Sequence, residues 1–203
     1  AAKAGGVPVV YASSAAVYGD NAQLPLSETS DTRPLSAYGA DKLGCEQHAR
    51  VAWQVHGVPN VGLRFFNVFG PRQDASSPYS GVISKFVDAA AAGEPLTIFG
   101  DGEQTRDFIY VRDIVELLVR AAKRDANCEL VNGCTGIPTS IAQLAALVGR
   151  ISGQKVAIEK KPARVGDIKH SLGSPLKAQT ILDYSATTPL EGGLLELMEP
   201  AHA

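Results

Sequence analysis

The stretch "VVYASSAAVYGD", residues 9–20, decides how this chain is read. The apolar run Val9-Val10-Tyr11 passes into Ser13-Ser14-Ala15-Ala16, and Val17-Tyr18-Gly19-Asp20 turns the chain. Val7–Ala12 has the pattern of a buried strand, and its carboxyl end presents two hydroxyls beside two alanines. In an open α/β sheet, ligands lie just beyond the carboxyl ends of the strands. A serine there can touch a substrate, and an alanine can leave room for one. An ordinary strand-to-loop junction accounts for the same residues, so the stretch needs support from elsewhere.

Downstream, the segment from Ser36 to His56 has no proline and carries Leu43, Val51 and Val55 at helical spacing. It reads as a helix closed by Gly57. Val61–Phe66 reads as a strand, followed by a loop broken at Gly70-Pro71. "GVISKFVDAAAAGEP" is a helix ended by Gly93 and Pro95. "LTIFGDGEQTRDFIYVRDIVELLVRAAKR" gives a short strand, a Gly-Asp-Gly turn, a second strand and a helix from near Val111. "CELVNGC" is a strand, "SIAQLAALVGRISG" a helix, and "KVAIEKKPARVGD" a strand running into an extended loop. Two short helices follow, near Lys177 and Leu190. Strands alternating with helices predict an α/β fold with a largely parallel sheet.

Composition narrows the function. Of 203 residues, 45% are hydrophobic and 20% charged, the balance of a globular chain with a real core. The formal net charge is −2 and no long run of one sign occurs, which argues against a nucleic-acid or anionic-membrane partner. The apolar stretches fall far short of the roughly 20 residues that cross a bilayer, and no signal peptide is visible. Cys45, Cys128 and Cys134 are an odd number without metal-ligand spacing, so free buried thiols in a reducing cytoplasm are expected. The histidines are scattered, and no metal site is expected.

"SAYGADKLGCEQ" puts Tyr38 and Lys42 four residues apart on the first long helix, hence one turn apart and about 6 Å along its axis. A tyrosine ordinarily titrates near pH ~10 and is a poor base at neutrality. A neighbouring ammonium favours the phenolate. Alone, a tyrosine and a lysine at this spacing are commonplace on helix surfaces.

Their combination with the opening stretch is far more specific. A strand ending in Ser14, a Val-Tyr-Gly turn, and the Tyr-x-x-x-Lys pair 24 residues after that serine resemble the extended short-chain dehydrogenase/reductase family. "RFFNVFGPRQ" (64–73), "FGDGEQTRDFIYVRDI" (99–114) and "ARVGDIKHS" (163–171) agree, and resemble the nucleotide-sugar epimerases and dehydratases, above all the UDP-glucose/UDP-N-acetylglucosamine 4-epimerases. The resemblance runs from residue 7 to about 195. It implies a carboxyl-terminal part of a Rossmann-like parallel sheet with a smaller mixed α/β substrate domain. Residues 1–75 would be the end of the NAD-binding domain. Residues 76–203 would be mainly nucleotide-sugar-binding, with returns to the Rossmann sheet near 105–135.

The same resemblance implies roles. Tyr38 is the base that takes the proton of the sugar 4-hydroxyl while hydride leaves C4 for NAD. Ser14 hydrogen-bonds that hydroxyl. Lys42 holds the nicotinamide ribose and favours the Tyr38 phenolate. Ser13 and Phe66 would lie beside the cofactor. Asn67 would bond the substrate diphosphate, Val82 would meet the nucleotide, and Thr97, Ile98 and Phe99 would lie along the uracil. Arg106 and Arg164 would clamp the diphosphate, as guanidinium forks suit phosphate oxygens. Asp167 would take a ribose hydroxyl, and Ser171 stands where some 4-epimerases wall the sugar pocket with a tyrosine. A serine there predicts that 2-acetamido sugars are accepted.

The alanines bear on the reaction type. Dehydratases of this family carry an Asp-Glu pair after the residue matching Ser14, and UDP-xylose synthases a glutamate, because those reactions call for further acid/base groups. Ala15 and Ala16 can do neither, so C4 epimerisation through a 4-keto sugar is expected, by a cytoplasmic homodimer paired through two helices per subunit. A heptose 6-epimerase stays open, since that branch shares the Ser-Ser-Ala-Ala start. No Gly-rich dinucleotide fingerprint occurs. The chain also begins, without methionine, close to a strand. It is therefore expected to start mid-fold, to bind NAD poorly as written and to expose apolar sheet surface. A non-catalytic remnant is the alternative.

Overall fold

The computed structural model describes residues 2–5, 7–74, 81–124, 127–153, 156–164 and 166–199. The elements are α1 (Ala2–Gly5), β1 (Val9–Ser14), a 3₁₀ turn (Ala15–Tyr18), α2 (Ala37–His56), β2 (Asn60–Phe65) and β3 (Asn67–Phe69). There follow α3 (Val82–Ala92), β4 (Leu96–Phe99), β5 (Thr105–Tyr110), α4 (Val111–Lys123), β6 (Cys128–Gly133) and β7 (Pro138–Ser140). The chain closes with α5 (Ile141–Ser152), β8 (Ile158–Lys161), α6 (Leu176–Leu182) and α7 (Leu190–Met198).

β1, β2 and β6 form a parallel sheet in that order, with Val10 opposite Val61 and Leu63 opposite Val131. β2 is its middle strand and is buried almost throughout, which is why it reads as a continuous rather than an alternating apolar run. One face packs Val61, Leu63 and Val131 against Ile114 and Leu117 of α4 and Leu182 of α6. The other face lies against α2, which starts at a Ser36 cap accepting from the Gly39 N–H and ends at Gly57, whose φ of 63° few other residues tolerate.

The second part centres on β3, β5 and β7, with β7 antiparallel to β5, and on the parallel pair β4–β8. Its core joins Ile83 and Phe86 of α3, Leu144 and Val148 of α5, and Leu194 of α7 to Leu96 and Phe108. Two buried aspartates fasten loops across the fold. Asp107 accepts from Thr135 N, Thr135 Oγ1, Gly136 N and Gly173 N. Asp113 accepts from Tyr184 Oη, Thr187 N and Thr188 N, tying the segment before α7 to α4.

Three expectations need correction. The first strand starts at Val9 and includes both serines, because Ser13 and Ser14 still pair with Arg64 and Phe65 of β2. The thiols are free but not all buried: Cys45 is exposed, Cys128 partly buried, and only Cys134 lies in the core. β3 and β7, at three residues each, carry too little periodicity to be read from sequence. Among the described residues no strand pairs with the outer edge of β1, where Val9 is 37% exposed.

Candidate active site

Ser14 ends β1 and caps the 3₁₀ turn, its Oγ accepting from the Ala16 N–H at 3.2 Å. A hydroxyl that accepts from the backbone keeps its own proton for another acceptor. Ser14 and Tyr38 wall one cavity of about 420 Å³, together with Phe65, Phe66, Asn67 and Val82. Tyr38 is 42% exposed at the start of α2. Lys42 Nζ lies 5.8 Å from the Tyr38 ring centre and donates to the Ala12 carbonyl at 3.0 Å. The ammonium thus stands between the end of β1 and the phenol, in the first turns of one helix.

A second cavity, of about 310 Å³, shares Ser14, Phe66 and Asn67 with the first and adds Ala15, Ala16, Arg106, Asp167 and Ser171. The third and largest, about 480 Å³, is lined by Asn67, Val82, Thr97, Phe99, Arg106, Arg164 and Asp167. Asn67 lines all three and so marks their junction. Arg106 bonds Asp167 Oδ1 at 2.5 Å and the Thr105 carbonyl at 2.9 Å, which aims its fork and leaves further N–H groups for an anion. Burial pulls the Arg106 guanidinium below its ordinary value, and the Asp167 carboxylate opposes that shift. Arg164 stacks on Phe99, 3.8 Å from the ring centre.

Two candidates point elsewhere. Strand alternation turns Ser13 away from Ser14, and its Oγ donates to Glu46 Oε1 at 2.5 Å instead of facing the cavity. By the same rule Thr97 and Phe99 face the large cavity while Ile98 packs into the core, so only its backbone can meet a ligand. Lys85, Glu94, Gln104 and Lys161 also line the large cavity and were not anticipated. Lys85 follows Val82 by three on α3 and was legible from helical spacing. Gln104, held to the Phe99 carbonyl at 2.7 Å, carried no sequence signal. The ion pair of Glu46 with Arg64 was missed too, although its carboxylate lies one turn beyond Lys42.

The residues present fit part of a dinucleotide. The cavity of Ser14 and Tyr38 offers apolar walls (Phe65, Phe66, Val68, Val82) beside two hydroxyl-bearing residues, which suits a nicotinamide and its ribose. Among the described residues, none of the helix starts follows a Gly-rich loop of the kind that cradles a pyrophosphate. Also among them, no helix is long and apolar enough to cross a membrane.

Comparison with known proteins identifies the family and the fold. The model of the NAD dependent epimerase/dehydratase family matches residues 1–132. An uncharacterised UDP-glucose epimerase, YtcB of Bacillus subtilis, is 36% identical over 91% of this chain and 57% of its own length. The UDP-N-acetylglucosamine 4-epimerase of Methanobrevibacter ruminantium, solved with UDP-N-acetylmuramic acid, superposes with a TM-score of 0.90 at 38% identity, covering 94% of this chain and 61% of that one. The UDP-glucose 4-epimerase of Thermotoga maritima, solved with UDP-glucose, gives 0.91 at 34% identity over 95% and 62%. The chain thus spans about three fifths of the length of these relatives. With a family model covering well over half of it and an α/β fold shared with these epimerases, the chain belongs to the NAD-dependent epimerase/dehydratase family.

Proposed function

We propose that this chain carries the proton-transfer and nucleotide-sugar-binding machinery of an NAD-dependent UDP-hexose 4-epimerase. The observation that carries the reading is the shared wall of the three cavities: Ser14, Phe66 and Asn67 join the cavity of Tyr38 to the one floored by alanines, and Asn67 and Arg106 join that to the nucleotide-sized one. The relatives named above, which act on or were solved with UDP-sugars, support the substrate class.

In this reading, bound NAD supplies the hydride acceptor and donor at the sugar carbon. Tyr38 Oη takes the proton of the 4-hydroxyl and later returns it, so the sugar passes through a 4-keto form and emerges with C4 inverted. Ser14 Oγ donates to the sugar oxygen, and Lys42 holds the nicotinamide ribose. Arg106 and Arg164 hold the diphosphate, Asp167 a ribose hydroxyl, and Thr97 and Phe99 flank the base. Ala15 and Ala16 carry no acid or base, so water elimination has no proton donor there. Ser171, beside those alanines, leaves space for a 2-acetamido group. Residues 1–75 serve the cofactor side and 76–203 mainly the nucleotide sugar. The protein works in the cytoplasm as a homodimer, for which the exposed Val51 and Val55 of α2 offer an apolar stripe.

The test is turnover of UDP-glucose and UDP-N-acetylglucosamine by the intact protein, followed by chromatography of the epimers, with Tyr38→Phe as control. Epimers from the wild type and a loss of about 10²- to 10⁴-fold in the variant are expected. No product from either sugar refutes the reading. Product from UDP-glucose alone refutes the role given to Ser171.

A further inference from the structure

We infer that Glu46 is a positioning residue for proton transfer, an inference that rests on the epimerase reading above. Glu46 lies on α2, one turn beyond Lys42 and two beyond Tyr38, and is 5% exposed. Its Oε1 accepts from Ser13 Oγ at 2.5 Å and from Arg64 Nε at 2.8 Å, and its Oε2 accepts from Arg64 Nη2 at 2.7 Å. Ser13 immediately precedes Ser14 on β1. Arg64 lies two residues before Phe66 and three before Asn67, and is fixed in turn by the Glu28 carbonyl and the Tyr18 ring. One buried carboxylate therefore ties together the three segments that bring Ser14, the Tyr38–Lys42 pair and Phe66–Asn67 to one cavity.

Stability does not call for such a pair. A buried ion pair exchanged for apolar side chains of similar volume is often neutral or stabilising, because desolvating two charges offsets their attraction. A bidentate fork does something that apolar packing cannot: it fixes both distance and angle between the groups it joins. Proton transfer between Tyr38 and a sugar bound at Ser14 depends on that geometry, since a misplacement of about 1 Å costs on the order of 100-fold in rate. Of the residues lining the nucleotide-sized cavity, only Asn67 belongs to a segment tied by Glu46; most of the others come from α3, β4, β5 and the loop after β8, and none of them is hydrogen-bonded to Glu46.

The experiment compares wild type, Glu46→Gln and Glu46→Asp in the intact protein. Glu46→Asp keeps the charge beside Arg64 but is one methylene short of bridging Arg64 and Ser13 together, so it guards against a Gln variant that fails to fold. Expected for each folded variant is a kcat for UDP-hexose epimerisation lowered about 10- to 100-fold, with KM and the Kd for UDP within twofold. A second readout needs no turnover: the ¹³Cζ resonance of Tyr38 in tyrosine-labelled protein, assigned with Tyr38→Phe, should move in both variants. Wild-type kcat in a folded variant overturns the inference, as does an unmoved Tyr38 resonance in both, or a weakening of UDP binding equal to the loss in kcat. If the wild type epimerises nothing but the Tyr38 resonance still moves, the epimerase reading fails and the positioning of Tyr38 by Glu46 stands.

Discussion

Replacing Asp107 by asparagine tests how much the site depends on one buried carboxylate. Asp107 is 0% exposed on β5, next to Arg106. Its Oδ1 accepts from Thr135 N at 2.8 Å and Thr135 Oγ1 at 2.7 Å, and its Oδ2 from Gly136 N at 2.9 Å and Gly173 N at 3.3 Å. All four partners donate. An asparagine keeps the pair that faces its carbonyl oxygen, and its NH₂ then faces either the Gly136 and Gly173 N–H groups or the Thr135 N–H and hydroxyl, where it meets at least one donor it cannot bond. Each lost bond to a charged acceptor is worth about 1.5–3 kcal/mol, and the longer Gly173 contact belongs at the lower end, so a cost of about 3–5 kcal/mol is expected. For a protein of this size that corresponds to a fall in Tm of roughly 6–20 °C. Urea unfolding of the intact protein, with wild type and Asp107→Asn side by side, reads the difference through the transition midpoint. Thr135→Val, which removes one donor to that carboxylate and the acceptor of the Ile137 N–H, should cost about 1.5–3 kcal/mol. An Asp107→Asn midpoint equal to the wild type would falsify the claim that four donors converge on an ionised oxygen pair.

Arg106→Met should weaken UDP binding about 10- to 150-fold, the equivalent of about 1.5–3 kcal/mol of charge-assisted hydrogen bonding; calorimetry with UDP checks this, and a Kd within twofold of wild type rejects the diphosphate role. Burial pushes the Asp113 carboxyl up, but hydrogen bonds from Thr187, Tyr184 and Thr188 outweigh that and hold it below its ordinary value. Folding therefore gains from the ionised form above about pH 4 and loses that contribution as the pH falls through the lowered value. Asp113→Asn should be less stable at neutral pH and should flatten the acid limb of a stability-against-pH curve; an unchanged limb contradicts it. Gly173→Ala would set a Cβ 2.6 Å from Cys134 Sγ and 2.7 Å from the Phe66 ring. Overpacking of this kind costs about 1–3 kcal/mol, so Tm should fall and, because Phe66 must move, kcat with it.

Much of the architecture was legible because its signals are local. The Ser36 cap and Gly57 bound the 20-residue α2, and Gly93 and Gly153 close α3 and α5 in the left-handed conformation that glycine favours. Ser14, Tyr38 and Lys42 were legible as a set only through the family resemblance, whose motif spans one strand, one turn and one helix. Other features were not, since they depend on partners far apart in the chain. The opposite facing of Ser13 and Ser14 follows from a strand that extends two residues further than its apolar run, held there by pairing with Arg64 and Phe65.

The sequence by itself determined the longer strands and helices and the α/β class, because periodicity and capping act over a few residues at a time, and it pointed to the catalytic candidates through the family resemblance that their motifs carry. Only the tertiary structure decided that Asn67 stands at the junction of three cavities, that Ile98 turns its side chain into the core, and that Glu46 is shared by Ser13 and Arg64. Those are contacts between segments brought together by sheet pairing and burial of a common core, and nothing in the local chemistry of a residue states which distant group it will meet.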